Sequence, residues 1–325
     1  MVRLGIAALA SGVLAASCAT PTLHYPAKGA SPPPLYELWQ EPRDLQKRDL
    51  YYGVGGREHV PNPRAHYEFK SADTTGASRG YKVRDDSGMS WDVKLGEEVQ
   101  SEIAVSRLLW AIGFHQPAVY YMSPGWTISD APGWVEAGEG PQNAARFRPQ
   151  LPSQETISAA WSWYDNPFVG TRAFKGLVLA NLIVANWDYK ADNNRIYRVK
   201  PPVGEASRVF VVQDLGASLG METPHLIHKL RLRSLRGSKN RIEDFERTGF
   251  IRGVRGDRVE LEYQGLDPGL FENVSPDDVR WVCRLFSRLS DRQWNDAFRA
   301  AGYQQELRDR YIKKIKEKVA QGAAL

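Results

Sequence analysis

Three polar residues in the second half of the chain have the types and the order that phosphate chemistry needs. Asp188 follows a long apolar stretch, Asn193 stands five residues after it, and Asp214 follows a second apolar run and opens the sequence Asp-Leu-Gly. One aspartate can orient an attacking hydroxyl, while an amide and a second aspartate can hold a metal ion that bridges phosphates. Any one of these residues alone would be an ordinary turn residue, but the set in this order favours phosphoryl transfer.

Two charged residues in the first half of the chain complete the set. Lys94 lies on a predicted strand whose other face carries Trp91 and Val93, and Glu102 lies within an apolar row of the helix predicted to follow. A buried charge is costly unless it is paired, so Lys94 is the expected partner of Glu102. The alternative is that the row is only half buried and that Glu102 faces solvent, and the spacing alone does not decide between the two.

The first of two predicted lobes combines short strands with one helix. Alternation of apolar and polar residues predicts the strands, and apolar residues at helical spacing predict the helix, which Gly113 ends. In chain order the elements are strands over 66–70, 81–84 and 91–95, a helix over 97–112, and strands over 116–122 and 145–151. The lobe is therefore predicted to be a hairpin-built antiparallel sheet with one helix.

The second predicted lobe is mainly helical. Thr171 can cap a helix that is apolar nearly all round, which is typical of a buried central helix. Two strands follow over 195–199 and 209–212, and Ser275 and Ser290 are N-cap residues of two later helices. The tail predicts a basic amphipathic helix, which we expect to dock on this lobe rather than on a membrane surface.

This arrangement resembles the atypical members of the protein-kinase-like superfamily. In style it is similar to the HipA-type kinases, the spore-coat protein H kinases and the secretory-pathway casein kinases. The resemblance covers about residues 65–300. It implies an α+β, two-lobed protein-kinase-like fold, with a small antiparallel β lobe that carries one helix and a larger, mainly helical lobe. It also implies ATP and Mg²⁺ as cofactors, and transfer of a phosphate to a hydroxyl on a protein or another hydroxyl-bearing substrate.

The resemblance also implies a role for each matching residue. Asp188 matches the catalytic aspartate, and Lys190 matches the lysine that often stands two residues after it. Asn193 and Asp214 match the metal ligands. The residues implied to bind the nucleotide are Lys94, Glu102, Gly76 and Gly80, the two glycines as a turn that covers the phosphates.

The chain departs from the protein-kinase pattern in three places. The glycine turn lacks the Gly-x-Gly-x-x-Gly sequence, Ala-Asn-Trp replaces His-Arg before Asp188, and no Ala-Pro-Glu follows Asp-Leu-Gly. These departures bear on regulation more than on phosphate chemistry, because atypical kinases share them.

The N-terminus predicts export. Arg3 and an apolar stretch over 4–16 match a signal peptide and are too short to span a bilayer. Ala-Ala-Ser before Cys18 resembles a bacterial lipobox, so we expect lipidation of Cys18 and a membrane-anchored lipoprotein facing the periplasm or cell surface. Ordinary secretory cleavage is the alternative. The chain then divides into a signal peptide over 1–17, a Pro-rich tether over 18–64, a nucleotide-binding lobe over 65–152 and a catalytic lobe over 153–325.

Composition narrows the remaining classes. The chain of 325 residues has a net charge of +5 and two cysteines, which excludes a disulfide scaffold and a four-cysteine zinc site. The charge is too weak to indicate nucleic acid as a partner. A basic run over 229–241 would suit an acidic or phosphorylated substrate, unless it is simply a solvated loop. Cys283 is expected to act as a small buried hydrophobic residue.

Two other functions fit parts of the sequence. Gly216-Ala-Ser218-Leu-Gly220 matches the nucleophile elbow of hydrolases, but His225 and His228 are the only histidines after it, and an antiparallel start suits no hydrolase sheet. A catalytically inactive kinase-like scaffold is the stronger alternative, because ATP is scarce outside the cytoplasm. Against it, a scaffold needs none of the three polar residues described first. Transfer of a nucleotidyl instead of a phosphoryl group is also open.

Overall fold

The structure is a computed structural model that describes residues 21–73, 80–133, 135, 138–158, 160–224 and 237–325. Over these ranges the chain has the predicted α+β organisation, with a β-sheet lobe followed by a mainly helical lobe. The expected signal peptide, the lipidation site Cys18, Gly76, the two histidines of the hydrolase alternative and most of the basic run lie outside the described residues.

The first lobe is built on a six-stranded sheet. Its elements are β1 Tyr67–Asp73, β2 Gly80–Asp85, β3 Ser90–Leu95, α1 Glu98–Ala111, β4 Tyr120–Met122, β5 Ile128–Ser129 and β6 Ala145–Pro149. The strand order is β4-β6-β3-β2-β1-β5, and every neighbouring pair is antiparallel except β1 and β5. The predicted strands and helix are confirmed with shifted ends, whereas the sequence pattern does not predict β5.

Alternation along β3 sorts its side chains between two environments. Trp91 and Val93 face an aromatic core, in which the ring of Phe147 lies 5.7 Å from that of Trp91. Successive strand residues point to opposite faces, so burial of these two side chains directs Lys94 to the other face. Its register partner on β6 is Arg146. The sheet thus presents two neighbouring cations towards α1.

The second lobe is mainly helical, as predicted. Its elements are β7 Gln154–Ser158, α2 Arg172–Ile183, β8 Asn194–Val203, β9 Ala206–Val212, α3 Ile242–Arg247, β10 Ile251–Arg255, β11 Arg258–Leu261, α4 Pro276–Ser287, α5 Asp291–Arg299 and α6 Gln305–Ala323. Thr171 accepts a hydrogen bond from Phe174 N, and Ser275 and Ser290 form capping boxes, so the predicted caps are confirmed. None of the described helices has the length and apolarity needed to cross a bilayer.

One continuous core joins α1 to the helical lobe. Val99 and Ile103 of α1 belong to the same buried cluster as Leu177 of α2 and Phe286 of α4. Cys283 also lies in this cluster, fully buried as expected, and burial raises the pKa of its thiol to about 12. The helix α1 is therefore held by the helical lobe, and it also contacts β3, β4 and β6 of the sheet.

Part of the expected tether is folded against this core. Leu38, Leu45 and Leu50 are each 1% exposed and belong to the main buried cluster. Glu37 forms an ion pair with Arg208 at 2.7 Å. The structure therefore differs from the expectation of a free Pro-rich tether over this part of the chain. The leucines between the prolines supply apolar area whose burial favours docking despite the composition.

Gly113 allows this docked segment to cross the end of α1. Its φ of +102° lies in the left-handed region that favours glycine. A Cβ at this position would lie 2.2 Å from the carbonyl oxygen of Gln40 and 2.6 Å from Trp39 Nε1. Trp39 Nε1 in turn donates a hydrogen bond to the carbonyl oxygen of Ile112 at 2.8 Å. The glycine therefore serves both the helix end and the crossing.

The docked segment predicts unequal effects of two leucine substitutions. Leu38 is 1% exposed, whereas Leu35, three residues earlier, is 42% exposed. Leu38→Ala should lower the free energy of unfolding by about 2–5 kcal/mol, as truncations of buried leucines do. Leu35→Ala should change it by at most about 0.5 kcal/mol. Urea unfolding measures both values, and equally small effects would show that the segment is undocked in solution.

Candidate active site

Lys94 is at the centre of the candidate site. Its Nζ lies 2.6 Å from Glu98 Oε2, 3.2 Å from Glu102 Oε2 and 2.9 Å from Asp214 Oδ1. Lys94 is 9% exposed and Glu102 is 1% exposed. The predicted pairing of Lys94 with Glu102 is therefore confirmed, and the alternative in which Glu102 faces solvent is wrong.

Three elements bring these groups together. Lys94 stands near the end of β3, and α1 begins soon after it, so that Glu98 and Glu102 lie one turn apart on the same face of the helix. Asp214 comes from the loop after β9. Glu102 also binds Arg146 of β6, whose Nε lies 2.9 Å from Glu102 Oε1. Two cationic partners thus offset the cost of burying this glutamate.

The neighbouring charges shift the proton affinities within this group. Burial alone would lower the pKa of Lys94, but Glu102, Asp214 and Glu98 together raise that pKa above its usual value. Burial would raise the pKa of Asp214 and of Glu98, yet the ammonium of Lys94 holds both below their usual range. At neutral pH the lysine is therefore a cation and these two carboxyl groups are anions.

The loop that carries Asp188 follows α2 directly. Asn186 Nδ2 donates a hydrogen bond to Asn181 Oδ1 at 2.7 Å, which ties the loop to the end of the buried helix. Lys190 Nζ lies 3.0 Å from Asp188 Oδ1, and the side chain of Lys190 is 70% exposed. The aspartate therefore stands on a rigid support, beside a cation that reaches solvent.

A hairpin brings Asn193 next to Asp214. Asn194 pairs with Val212 across β8 and β9, so the residue before β8 lies beside the residues after β9. Asp214 N donates a hydrogen bond to the carbonyl oxygen of Asn193 at 3.2 Å. Asn193 Nδ2 donates to the carbonyl oxygen of Asp188 at 3.0 Å. The three polar residues are therefore linked to one another and, through Asp214, to Lys94.

The helix α1 also contacts the Asp-Leu-Gly sequence directly. Ser101 Oγ donates a hydrogen bond to the carbonyl oxygen of Gly216 at 2.9 Å, and Gly216 N donates to Asp214 Oδ1 at 3.2 Å. A Cβ at Gly216 would lie 2.6 Å from the Cβ of Glu98. The missing side chain lets the loop approach the helix closely, and the contact holds Asp214 opposite Lys94.

The glycines implied to cover the phosphates are placed differently from expectation. Gly80 is the first residue of β2, where it is the register partner of Lys94, so it belongs to the sheet rather than to a turn. Backbone pairing with β3 is what fixes it there. Gly76 lies outside the described residues.

The hydrolase alternative loses its nucleophile. Ser218 is 0% exposed, and its Oγ has no hydrogen-bond partner within the described part of the chain. A nucleophilic serine needs a base within hydrogen-bond reach and access for a substrate. A fully enclosed hydroxyl without such a base cannot perform this chemistry.

Three charged residues of the site are not among those singled out from the sequence: Glu98, Arg146 and Lys239. Glu98 lies midway between Lys94 and Glu102 at helical spacing, which was an available signal. Arg146 lies on a predicted strand, where alternation assigns it to one face but not to a partner. Lys239 binds Glu98 across a long sequence separation, and no local pattern reveals such a contact.

The donor groups fit a magnesium ion that arrives with phosphates. Mg²⁺ is usually bound through one or two carboxylates together with phosphate oxygens and waters. Asp214 would supply a carboxylate, and Asn193, whose Nδ2 is bonded to the Asp188 carbonyl, would supply its amide oxygen. Over the ranges described, no group of three or more His, Cys, Asp and Glu side chains could hold a metal. The site therefore suits a metal shared with a ligand.

Comparisons with known proteins add two remote structural similarities. No protein-family model and no curated protein matches the chain. The proinflammatory kinase CtkA of Helicobacter pylori gives a TM-score of 0.47 at 9% identity, over 80% of this chain and 95% of that chain. The Rio2 kinase-ADP/Mg²⁺-phosphoaspartate complex of Chaetomium thermophilum gives 0.27 at 12% identity, over 78% and 72%. Both TM-scores are too low to carry an argument, so the assignment of a function rests on the site.

Removal of Glu102 should destabilise the fold strongly. Glu102→Ala leaves Arg146 without its carboxylate partner in a buried environment, and breaking such a pair typically costs about 3–5 kcal/mol. Glu155→Ala is the matched control, because it removes a carboxylate that is 62% exposed and paired at 2.6 Å with the exposed Arg198; the change should stay within about 0.5 kcal/mol. Urea unfolding measures both. A wild-type midpoint for Glu102→Ala would place that carboxylate outside the buried network.

Proposed function

We propose that the chain is a kinase-like phosphotransferase that moves a phosphate from Mg²⁺-ATP to a hydroxyl. The observation that carries the proposal is the unbroken series of contacts from Lys94 through Asp214 and Asn193 to Asp188. It unites a cation suited to phosphate, two oxygen donors suited to a metal, and a carboxylate suited to a hydroxyl. Phosphoryl transfer needs such positioning and charge neutralisation, and little covalent chemistry from the protein.

On the donor side, Lys94 would bind the phosphates of the nucleotide. Glu102 holds the lysine from below at 3.2 Å and keeps it cationic. Asp214 and Asn193 would hold the metal ion, which when bound neutralises charge that develops on the phosphates. The residues of the chain therefore act by binding and orienting the donor.

On the acceptor side, Asp188 would accept a hydrogen bond from the acceptor hydroxyl and orient it for attack. Lys190, at 3.0 Å from this carboxylate, is exposed and would contact the transferred phosphate. Tyr189 between them is buried, and its ring packs 5.1 Å from that of Trp163. The buried ring fixes the backbone of the two charged residues on either side of it.

Ligand binding in this proposal exchanges partners at one contact. Lys94 and Asp214 lie 2.9 Å apart and neutralise each other, and the side chain of Asp214 is 42% exposed, so it can be reached from solvent. The phosphates would replace Asp214 as a partner of Lys94, and the metal would replace Lys94 as the partner of Asp214. Each buried charge keeps an opposite charge throughout, which avoids the large cost of an unpaired ion.

An inactive kinase-like scaffold is the second candidate. The observation that favours it is that three carboxylates already neutralise Lys94 without a ligand. In a scaffold this network would only join β3, α1 and the loop after β9. Magnesium-dependent nucleotide binding separates the two candidates.

The acceptor and the location are further parts of the proposal. The export signal and Cys18 support a lipid-anchored protein that acts on an exported acceptor, most simply a protein. The basic run over 229–241 supports an acidic acceptor.

Lipidation at Cys18 predicts a simple change in location. In a bacterial host, Cys18→Ser should release the exported protein from membranes, because the thiol that carries the lipid is gone. Fractionation of cells that express either form measures the distribution. Cys283→Ser is the control and should stay with the membrane. Wild-type protein that is already wholly soluble would contradict the lipoprotein proposal.

Mg²⁺-ATP should stabilise the wild-type protein. A ligand that binds only the folded state, at a hundredfold its Kd, adds roughly 2.7 kcal/mol, which raises the Tm of a protein of this size by several degrees. EDTA and Asp214→Ala should each remove most of the rise, because the metal or its ligand is gone. Asp188→Asn should keep the rise and lose transfer of labelled phosphate, because orienting the acceptor is separate from binding the nucleotide.

The control for this experiment is Asp192→Asn. Asp192 is an exposed aspartate of the same loop, and its substitution should change neither the Tm rise nor the transfer. A wild-type protein whose Tm does not respond to Mg²⁺-ATP at millimolar concentration would overturn the kinase proposal in favour of the scaffold.

A further inference from the structure

Glu98 links the candidate site to a distant part of the chain. Its side chain is 7% exposed and contacts two cations, Lys94 from β3 and Lys239 from the segment before α3. Lys94 meanwhile contacts both Glu98 and Glu102, which lie on successive turns of α1. The two glutamates therefore share one lysine, and the second lysine acts on only one of them.

Lys239 is held in place from several sides. Its Nζ lies 5.6 Å from the centre of the Trp187 ring, and Trp187 Nε1 donates a hydrogen bond to the carbonyl oxygen of Ser238 at 3.2 Å. Asn240 Nδ2 donates to the carbonyl oxygen of Glu97 at 3.2 Å. The residues on both sides of Lys239 are thus bonded to the loop before Asp188 and to the first turn of α1.

The charges of the network balance. Lys94, Arg146 and Lys239 face Glu98, Glu102 and Asp214 in a chain of ion pairs. Loss of Lys239 would leave an excess carboxylate in a buried environment, where an unpaired charge is costly. The nearest remaining cation for Glu98 is Lys94, at 2.6 Å, so the glutamate would bind that lysine more tightly.

We propose that Lys239 is a positioning residue that binds Glu98 and thereby leaves Lys94 available to the phosphates of the nucleotide. Lys239 itself need not touch the nucleotide. The inference rests on the proposed function, because it concerns the lysine that would bind the donor. It goes further by making the segment before α3 a determinant of nucleotide affinity.

The test is the affinity for Mg²⁺-ATP, measured by titration calorimetry. Lys239→Met should raise Kd about tenfold, which corresponds to about 1.4 kcal/mol. Lys239→Arg should restore most of the affinity, because it restores the cation beside Glu98. Glu98→Gln in the Lys239→Met background should also restore it, because a neutral amide does not compete for Lys94. Rescue by a second substitution is not expected of a residue that only supports the fold.

The matched control is Lys175→Met. Lys175 pairs with Asp278 at 2.9 Å, and the two side chains are 23% and 8% exposed, compared with 20% and 7% for Lys239 and Glu98. Removal of Lys175 should lower the free energy of unfolding and leave the Kd for Mg²⁺-ATP at its wild-type value. If Lys239→Met does not fold, Lys239→Gln is measured in its place, since it keeps a polar group beside the carboxylate.

A pH series provides a second readout. Besides Lys94 and Lys239, the charged groups of this network are Glu102, Arg146 and Asp214. Lys94 and Lys239 lower the pKa of Glu98, so the loss of Lys239 raises it. In Lys239→Met the affinity defect should therefore shrink as pH falls through the raised pKa, because protonated Glu98 releases Lys94. Glu98→Gln in the same background should lack this recovery.

The outcomes separate this inference from the proposed function. Wild-type protein that binds no Mg²⁺-ATP would overturn the proposed function and this inference with it. Wild-type protein that binds, together with a Lys239→Met variant of equal affinity, would overturn the inference alone. A defect that Glu98→Gln does not relieve would also overturn it, because the effect would then not pass through Glu98.

Discussion

The ammonium of Lys94 is the charge on which the arrangement of the site depends. It lies among carboxylates from α1 and from the loop after β9, while its own backbone belongs to the sheet. A charge in this environment has to keep its partners, because stranding one of them costs several kcal/mol. The sheet, the helix α1 and the Asp-Leu-Gly loop are therefore constrained to meet at one place, which is where the donor phosphates would bind.

The parts of the fold that the sequence predicts are those governed by local rules. Alternation placed Lys94 opposite the buried Trp91, and helical spacing placed Glu102 on the inner face of α1, so their pairing followed from the cost of an unpaired charge. Thr171 and the two later serines marked helix starts because an N-cap hydrogen bond is made within a few residues. Each of these inferences needed only neighbouring residues.

The parts that the sequence does not predict depend on distant contacts. Lys239 meets Glu98, and Arg146 meets Glu102, only after the chain has folded back on itself, and no periodicity records either contact. The Pro-rich composition after residue 20 indicated a tether, but composition does not report that Leu38 finds a place in the core. Gly80 was assigned to a turn because glycines favour turns, whereas strand pairing decides its position.

The close approach of Gly216 to Glu98 has an evolutionary consequence. Any side chain at 216 would collide with the helix at 98, so the two positions restrict each other's substitutions, and the ion pair between Glu98 and Lys239 adds a third position. Among descendants of a common ancestor, these three sites should therefore change together or remain unchanged together. A signature of two glutamates four residues apart on one helix, a glycine two residues after an aspartate, and a later lysine would recognise kin whose overall sequences have diverged too far to align.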